Sequence, residues 1–341
     1  MSLASSQEFY TAVSHKFRAA DVIGAKLGGK VLACSDEWFA DASNLIEPKA
    51  PIRDATRFVH AGAWYDGWET RRHNTAEYDW TVIRMGVAAA HLVGCVVDTA
   101  FFNGNHAPAI SVDALYAPEL GTDDQAPAED DPRWREVIPV TECGPSANHY
   151  ILRDAQTSDA YTHVKLKMYP DGGIARFRMY GRVIPLPRAA GTPPVDLAAV
   201  VNGGVAVAVS DQHFGSADNL LLPGRGHDMS DGWETARSRK PGHVDWVIVE
   251  LGGKARRVDK VVVDTAHFRG NFPRAVSVHV LEEDSAVPAH DDPRWTPLVL
   301  DAATSADREH EFAVGRDVVA THVKLTIIPD GGVKRLRVFA A

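Results

Sequence analysis

Apolar and polar residues alternate along most of this chain with a period of two, the pattern of a β-strand with one face inside and one outside. Val164, Leu166 and Met168 alternate with His163, Lys165 and Lys167. After Pro170-Asp171-Gly172-Gly173, Phe177 and Met179 alternate with Arg176 and Arg178. This predicts a hairpin with one apolar face and one basic, solvated face. The pattern returns in Val323, Leu325 and Ile327, then in Leu336 and Val338 against Arg335 and Arg337. Residues 80–85, 92–98 and 109–115 also read as strands, separated by loops rich in Gly, Pro, Asn and Asp. No long stretch with a 3.6-residue period appears in these regions. Only residues 6–17 read as a short helix.

The pattern recurs because the chain is duplicated. Asp66-Gly67-Trp68-Glu69-Thr70 returns as Asp231-Gly232-Trp233-Glu234-Thr235, 231 − 66 = 165 positions later. Val97-Asp98-Thr99-Ala100 returns as Val263-Asp264-Thr265-Ala266, and Thr162-His163-Val164-Lys165-Leu166 as Thr321-His322-Val323-Lys324-Leu325. A unit of this length is a whole domain, unlike solenoid repeats of roughly 20–50 residues. The fold expected is all-β: two tandem jelly-roll, galactose-binding-like β-sandwich repeats. Residues 1–20 read as an N-terminal extension, 21–183 as the first repeat, 184–195 as a Pro-rich linker and 196–341 as the second repeat. The first repeat carries about ten extra residues between Leu45 and Asp66, a Pro-rich loop.

Composition narrows the function. A net charge of −9 argues against a nucleic-acid partner, which needs a basic face. No stretch approaches the roughly 18 apolar residues of a membrane helix, so no membrane partner is expected. Three cysteines, Cys34, Cys95 and Cys143, fit neither a disulfide framework nor a zinc spacing. With no signal region or peroxisomal tripeptide, they point to a reducing, cytoplasmic setting. Fifteen histidines are scattered without a metal-ligand spacing, so no cofactor is expected, and a divalent metal is left open.

Packing alone would preserve apolar residues, yet the repeated words are rich in Asp, Glu, Asn and Arg. In the first, a carboxylate (Glu69, Glu234) follows a tryptophan (Trp68, Trp233) and precedes an arginine (Arg72, Arg237). These are the elements of an acid/base site, or of a turn with a surface ion pair. The second delivers Asp98 and Asn105, or Asp264 and Asn271, into a loop at a strand end. Binding groups gather there; the alternative is an Asp anchoring its own loop, with the asparagines at positive φ. The repeats differ at Phe101/His267 and Asn103/Arg269, which favours the second for an anionic substrate. The third word supplies Arg176 and Arg335, able to grip a carboxylate in two places. No nucleophile elbow, phosphate loop or metalloprotease helix is present.

Taken together, Ser35-Asp36-Glu37-Trp38-Phe39 with Asn44-Leu45, Asp66 through Arg72, Asp79-Trp80, Val97 through Asn105, their counterparts, and Gly224 through Met229 resemble the allantoicase family. The resemblance runs from about residue 21 to the C-terminus. One departure is Ala236, where the first repeat has Arg71. The resemblance implies a homo-oligomeric amidinohydrolase that converts allantoate to ureidoglycolate and urea. Under it, Glu69, Glu234, Asp98, Asp264 and His267 are the catalytic candidates. Trp68, Arg72, Asn105, Arg176, Trp233, Arg237, Asn271 and Arg335 are the substrate-binding candidates. The rival expectation is a non-catalytic tandem module for small, carbohydrate-like ligands.

Overall fold

Every long strand in the protein pairs antiparallel, and the pairing sorts the chain into two compact units, one ending at Ile184 and one starting at Pro185. The computed structural model describes residues 2–121, 124–187 and 192–341; part of the expected linker, 188–191, lies outside the described residues.

The first unit holds two five-stranded sheets. One is ordered Ser2–Ala4, Asn148–Leu152, Ala89–Asp98, Arg176–Ile184, Ala20–Asp21. The other is ordered Arg135–Glu142, Ala109–Leu115, His163–Tyr169, Asp79–Arg84, Lys30–Cys34. Val112, Val164, Leu166 and Met168 on one sheet and Val97, Phe177 and Met179 on the other are fully buried. Each such side chain contributes about 1.5–3 kcal/mol when taken out of water, which is what holds two sheets together as a sandwich.

The second unit reaches the same architecture with fewer breaks. Asp245–Asp264 and Glu309–Ile328 are continuous strands that pair along two layers. Residues 247–250 pair with Val205–Val209, and residues 258–264 pair with Arg335–Ala340. Register shifts between Glu250 and Lys260 mark the bend from one layer to the other. In the first unit the same path is divided into Asp79–Arg84 and Ala89–Asp98. The all-β, two-sandwich expectation therefore holds.

The N-terminal segment is part of the first unit. Ser5 caps the helix Ser6–Thr11: its backbone N–H donates to Glu8 Oε2 at 2.9 Å, and Glu8 N–H donates to Ser5 Oγ at 3.3 Å. Beyond Thr11 the turns widen into a π-helix over Ala12–Phe17. A spacing of four places Phe9, Val13 and Phe17 on one face, wider than the 3.6-residue α-turn. That face packs on Val93 and Val96, covering the outside of the first sheet.

The basic hairpin face is not solvated, contrary to expectation. His163, Lys165 and Arg176 are at most 4% exposed. Loops remote in sequence cover them. Lys165 Nζ donates to the Glu129 carbonyl at 2.8 Å and lies 3.5 Å from Asp113 Oδ2. Burial pushes the His163 imidazole down to about 4, so it stays neutral near physiological pH.

Candidate active site

The central carboxylate is placed by a two-residue strand. Trp68–Glu69 pairs with Gly173–Ile174, and Trp233–Glu234 with Gly332–Val333. Alternation along a strand sends Trp and Glu to opposite sides. Trp68 and Trp233 are fully buried, and each indole N–H donates at 2.8 Å to a backbone carbonyl, of Asp36 and Asp211 respectively. They anchor the strand in the core instead of contacting a substrate, which corrects the binding role expected of them. Asn44 and Asn219 brace the same turn by donating to the carbonyls of Gly67 and Gly232 at 3.0 and 3.1 Å.

On the other side, each glutamate accepts a hydrogen bond from the loop asparagine. Asn105 Nδ2 donates to Glu69 Oε1 at 2.6 Å, and Asn271 Nδ2 donates to Glu234 Oε1. Burial pushes the Glu69 carboxyl up, opposed by the Asn105 hydrogen bond and the Arg72 charge. Kept out of water beside an amide, Glu69 is suited to hold a proton, and Glu234 meets its asparagine in the same way.

The Pro-Asp-Gly-Gly turn fixes that pair. Gly172 and Gly331 sit at φ 143° and 125°, conformations that L side chains rarely adopt. A Cβ on Gly331 would lie 2.4 Å from the Asn271 carbonyl oxygen, and one on Gly172 would lie 2.7 Å from that of His106. Close approach lets Gly332 N–H donate to the Asn271 carbonyl at 2.7 Å, and Ala107 N–H to that of Gly173 at 3.0 Å. The turn thus joins the glutamate strand to the asparagine loop.

Its aspartate holds a third piece, the loop that carries the arginine. Asn74 N–H donates to Asp171 Oδ2 at 3.0 Å, and Ser238 N–H to Asp330 Oδ2 at 2.7 Å. The loop's other end is held by Arg71 N–H to Asp36 Oδ2 at 2.7 Å and by Ala236 N–H to Asp211 Oδ2 at 2.6 Å. Arg72 and Arg237 project between these pins. Arg71 also pairs its side chain with Asp36, so alanine at 236 removes an outer ion pair and not a clamp. In the second unit these parts border an open cavity of about 570 Å³, lined among others by Glu234, Asn271, Arg237, Arg274, Thr304 and Asp330.

Other expected site residues do not join this cluster. Arg176 is buried and engaged by both Asp66 oxygens at 2.9 Å and by the Lys49 carbonyl at 2.9 Å. Arg335 is buried against Asp231 Oδ2 at 2.9 Å and four backbone carbonyls. Both are held in the core by their own carboxylate and carbonyl partners, and neither is among the cavity's lining residues, so the clamp expected of them is corrected. Asp98 and Asp264 accept the N–H of Ala100 and Ala266 at 2.8 and 2.9 Å, and Asp264 also takes two bonds from Arg225. Both anchor their loops, which is the alternative read from the sequence, and neither is among the cavity's lining residues. The left-handed residues there are Phe101 and His267, both at φ 69°, not the asparagines. His267 turns its ring to the Gly226 carbonyl at 3.3 Å and is not among the cavity's lining residues.

Arg274, Thr304 and Phe214 line the cavity but were not singled out from sequence. At the matching positions of the first repeat stand Pro108, Cys143 and Phe39, so Arg274 and Thr304 carry no repeat signal. Among the described residues no group of three or more His, Cys, Asp or Glu is arranged to hold a metal ion.

Known proteins match over the whole length. The "Allantoicase repeat" family model fits twice, at residues 20–184 and 195–341. The allantoicase of Saccharomyces cerevisiae is 57% identical over 340 residues, covering 99% of this chain and 98% of its own length. That of Neurospora crassa is 53% identical, covering 94% of this chain and 90% of its own. The crystal structure of the Saccharomyces cerevisiae allantoicase superposes with a TM-score of 0.89 at 53% identity, covering 100% of this chain and 99% of that one.

Proposed function

From a chain that belongs to the allantoicase family, we infer an enzyme that hydrolyses allantoate to ureidoglycolate and urea at the glutamate–asparagine–arginine cluster. The observation that carries this reading is the meeting of Glu234, Asn271 and Arg237 in one cavity of about 570 Å³, a size suited to a small ureido acid.

Allantoate has a central carbon that bears a carboxylate and two ureido groups. Breaking one C–N bond sends its electron pair to the departing urea nitrogen, which is a poor leaving group unless protonated. The glutamic acid donates that proton. Water then attacks the central carbon, and its proton returns to the glutamate. One water is consumed and one urea released. Asn105 or Asn271 occupies one carboxyl oxygen and so aims the other at the substrate. Arg72 or Arg237, on its pinned loop, pairs with the substrate carboxylate.

The same reading includes a homo-oligomer, by family resemblance, and a cytoplasmic location. For the latter, the support is that Cys34, Cys95 and Cys143 are free thiols. Among the described residues no helix is long and apolar enough to cross a membrane. The carbohydrate-like binding module gains no support from any of these observations.

The test is direct. Purified protein incubated with allantoate should release urea and ureidoglycolate one for one. No release, with or without added divalent metal, would overturn the reading.

A further inference from the structure

We propose that Arg274 is a substrate-binding residue for the carboxylate, and that only the second unit of each chain turns allantoate over. This rests on the hydrolase reading above. Arg237 and Arg274 line the same cavity as Glu234 and Asn271, and neither guanidinium has a hydrogen-bond or ion-pair partner among the described residues. Each carboxylate that shares the cavity accepts a hydrogen bond on one oxygen, Glu234 from Asn271 and Asp330 from the Ser238 amide, and neither forms an ion pair with Arg237 or Arg274 among the described residues. Two unpaired guanidinium groups lining one cavity make an anion site, because each can present two parallel N–H donors to a carboxylate.

The first unit lacks this arrangement. Pro108 stands where Arg274 does, and each carbonyl accepts the same kind of bond, from Cys143 N–H at 2.9 Å and from Thr304 N–H at 3.1 Å. Cys143 brings no charge, since burial pushes its thiol up to about 12. Arg72, the counterpart of Arg237, donates Nη2 to the Gly104 carbonyl at 2.9 Å. Glu234 lines the cavity beside both guanidinium groups. The residues that differ between repeats thus sort the two copies of the cluster by their capacity to hold an anion.

The experiment is steady-state urea release by the full-length Arg274→Gln and Arg274→Lys variants, with malonate and urea as inhibitors. Arg274 is exposed, so both variants should melt like the parent protein. Arg274→Gln should lower kcat/KM about tenfold or more, mainly through KM, as loss of a charge-assisted hydrogen bond predicts. It should weaken inhibition by the dianion malonate and leave inhibition by neutral urea unchanged. Arg274→Lys should recover part of the loss. An Arg274→Gln protein that keeps half or more of kcat/KM would overturn the inference while leaving the hydrolase reading standing. A parent protein that releases no urea would instead defeat the hydrolase reading.

Discussion

Asn105 donates its side-chain amide to the Glu69 carboxylate at 2.6 Å, and Asn271 does the same for Glu234 in the other unit. The asparagine both blocks one carboxyl oxygen and sets the direction of the second. Replacing Asn271 by alanine should therefore lower kcat about tenfold to a hundredfold while the protein still binds substrate, because a mis-aimed acid loses catalysis before affinity. Urea-release kinetics check this; a change in KM alone would contradict it.

The turn that holds the pair is sterically closed. Gly331→Ala introduces a Cβ 2.4 Å from the Asn271 carbonyl oxygen at a φ of 125°. Both effects act in the same direction, so the variant should lose about 2 kcal/mol or more in denaturant unfolding. Activity should fall further than stability, since the displaced backbone carries Asn271. A Gly331→Ala protein as stable and active as the parent would show that the turn does not position the loop.

Arg335 was expected to clamp the substrate and instead ties Asp231 and the Gly224 loop into the core. Removing it strips Asp231 Oδ2 and four backbone carbonyls of a buried donor, although Lys334 still pairs with Asp231. Arg335→Gln should destabilise the protein by about 3 kcal/mol or more. In whatever fraction stays folded, KM for allantoate should remain near the parent value. A raised KM with unchanged melting would restore the clamp.

Glu69 ionises with difficulty because it is buried, so its folded pKa lies above the ordinary 4.5. A raised carboxyl pKa means the folded protein holds the proton more tightly than the unfolded chain. The stability this supplies is present below the unfolded value and is lost as pH rises through the folded one. Glu69→Gln cannot ionise and still accepts the Asn105 bond. Its melting temperature relative to the parent should therefore be higher near pH 7 than near pH 4. Parallel melting curves across that range would contradict the shift.

The duplication, the sandwich class and the glutamate–arginine word were all legible in the sequence, because alternation and repetition are local signals. Burial of the basic face was not. It depends on contacts between Lys165 and the Glu129 loop, and between Arg176 and Asp66, which lie far apart in the chain. Asp98 and Asp264 were ambiguous for a different reason: an aspartate that caps a loop and one that does chemistry occupy the same sequence position. Trp68 reads as a substrate-binding residue because its neighbour is a candidate acid, yet strand alternation puts the two on opposite sides. Arg274 was missed because searching for repeated words hides the residues that differ.

The most direct test of the account is urea release by Glu69→Gln and Glu234→Gln, singly and combined, with melting curves alongside. The account predicts that the combined variant remains folded and loses at least about a hundredfold in turnover, the loss coming from Glu234. Parent-level urea release from a folded double variant would contradict it.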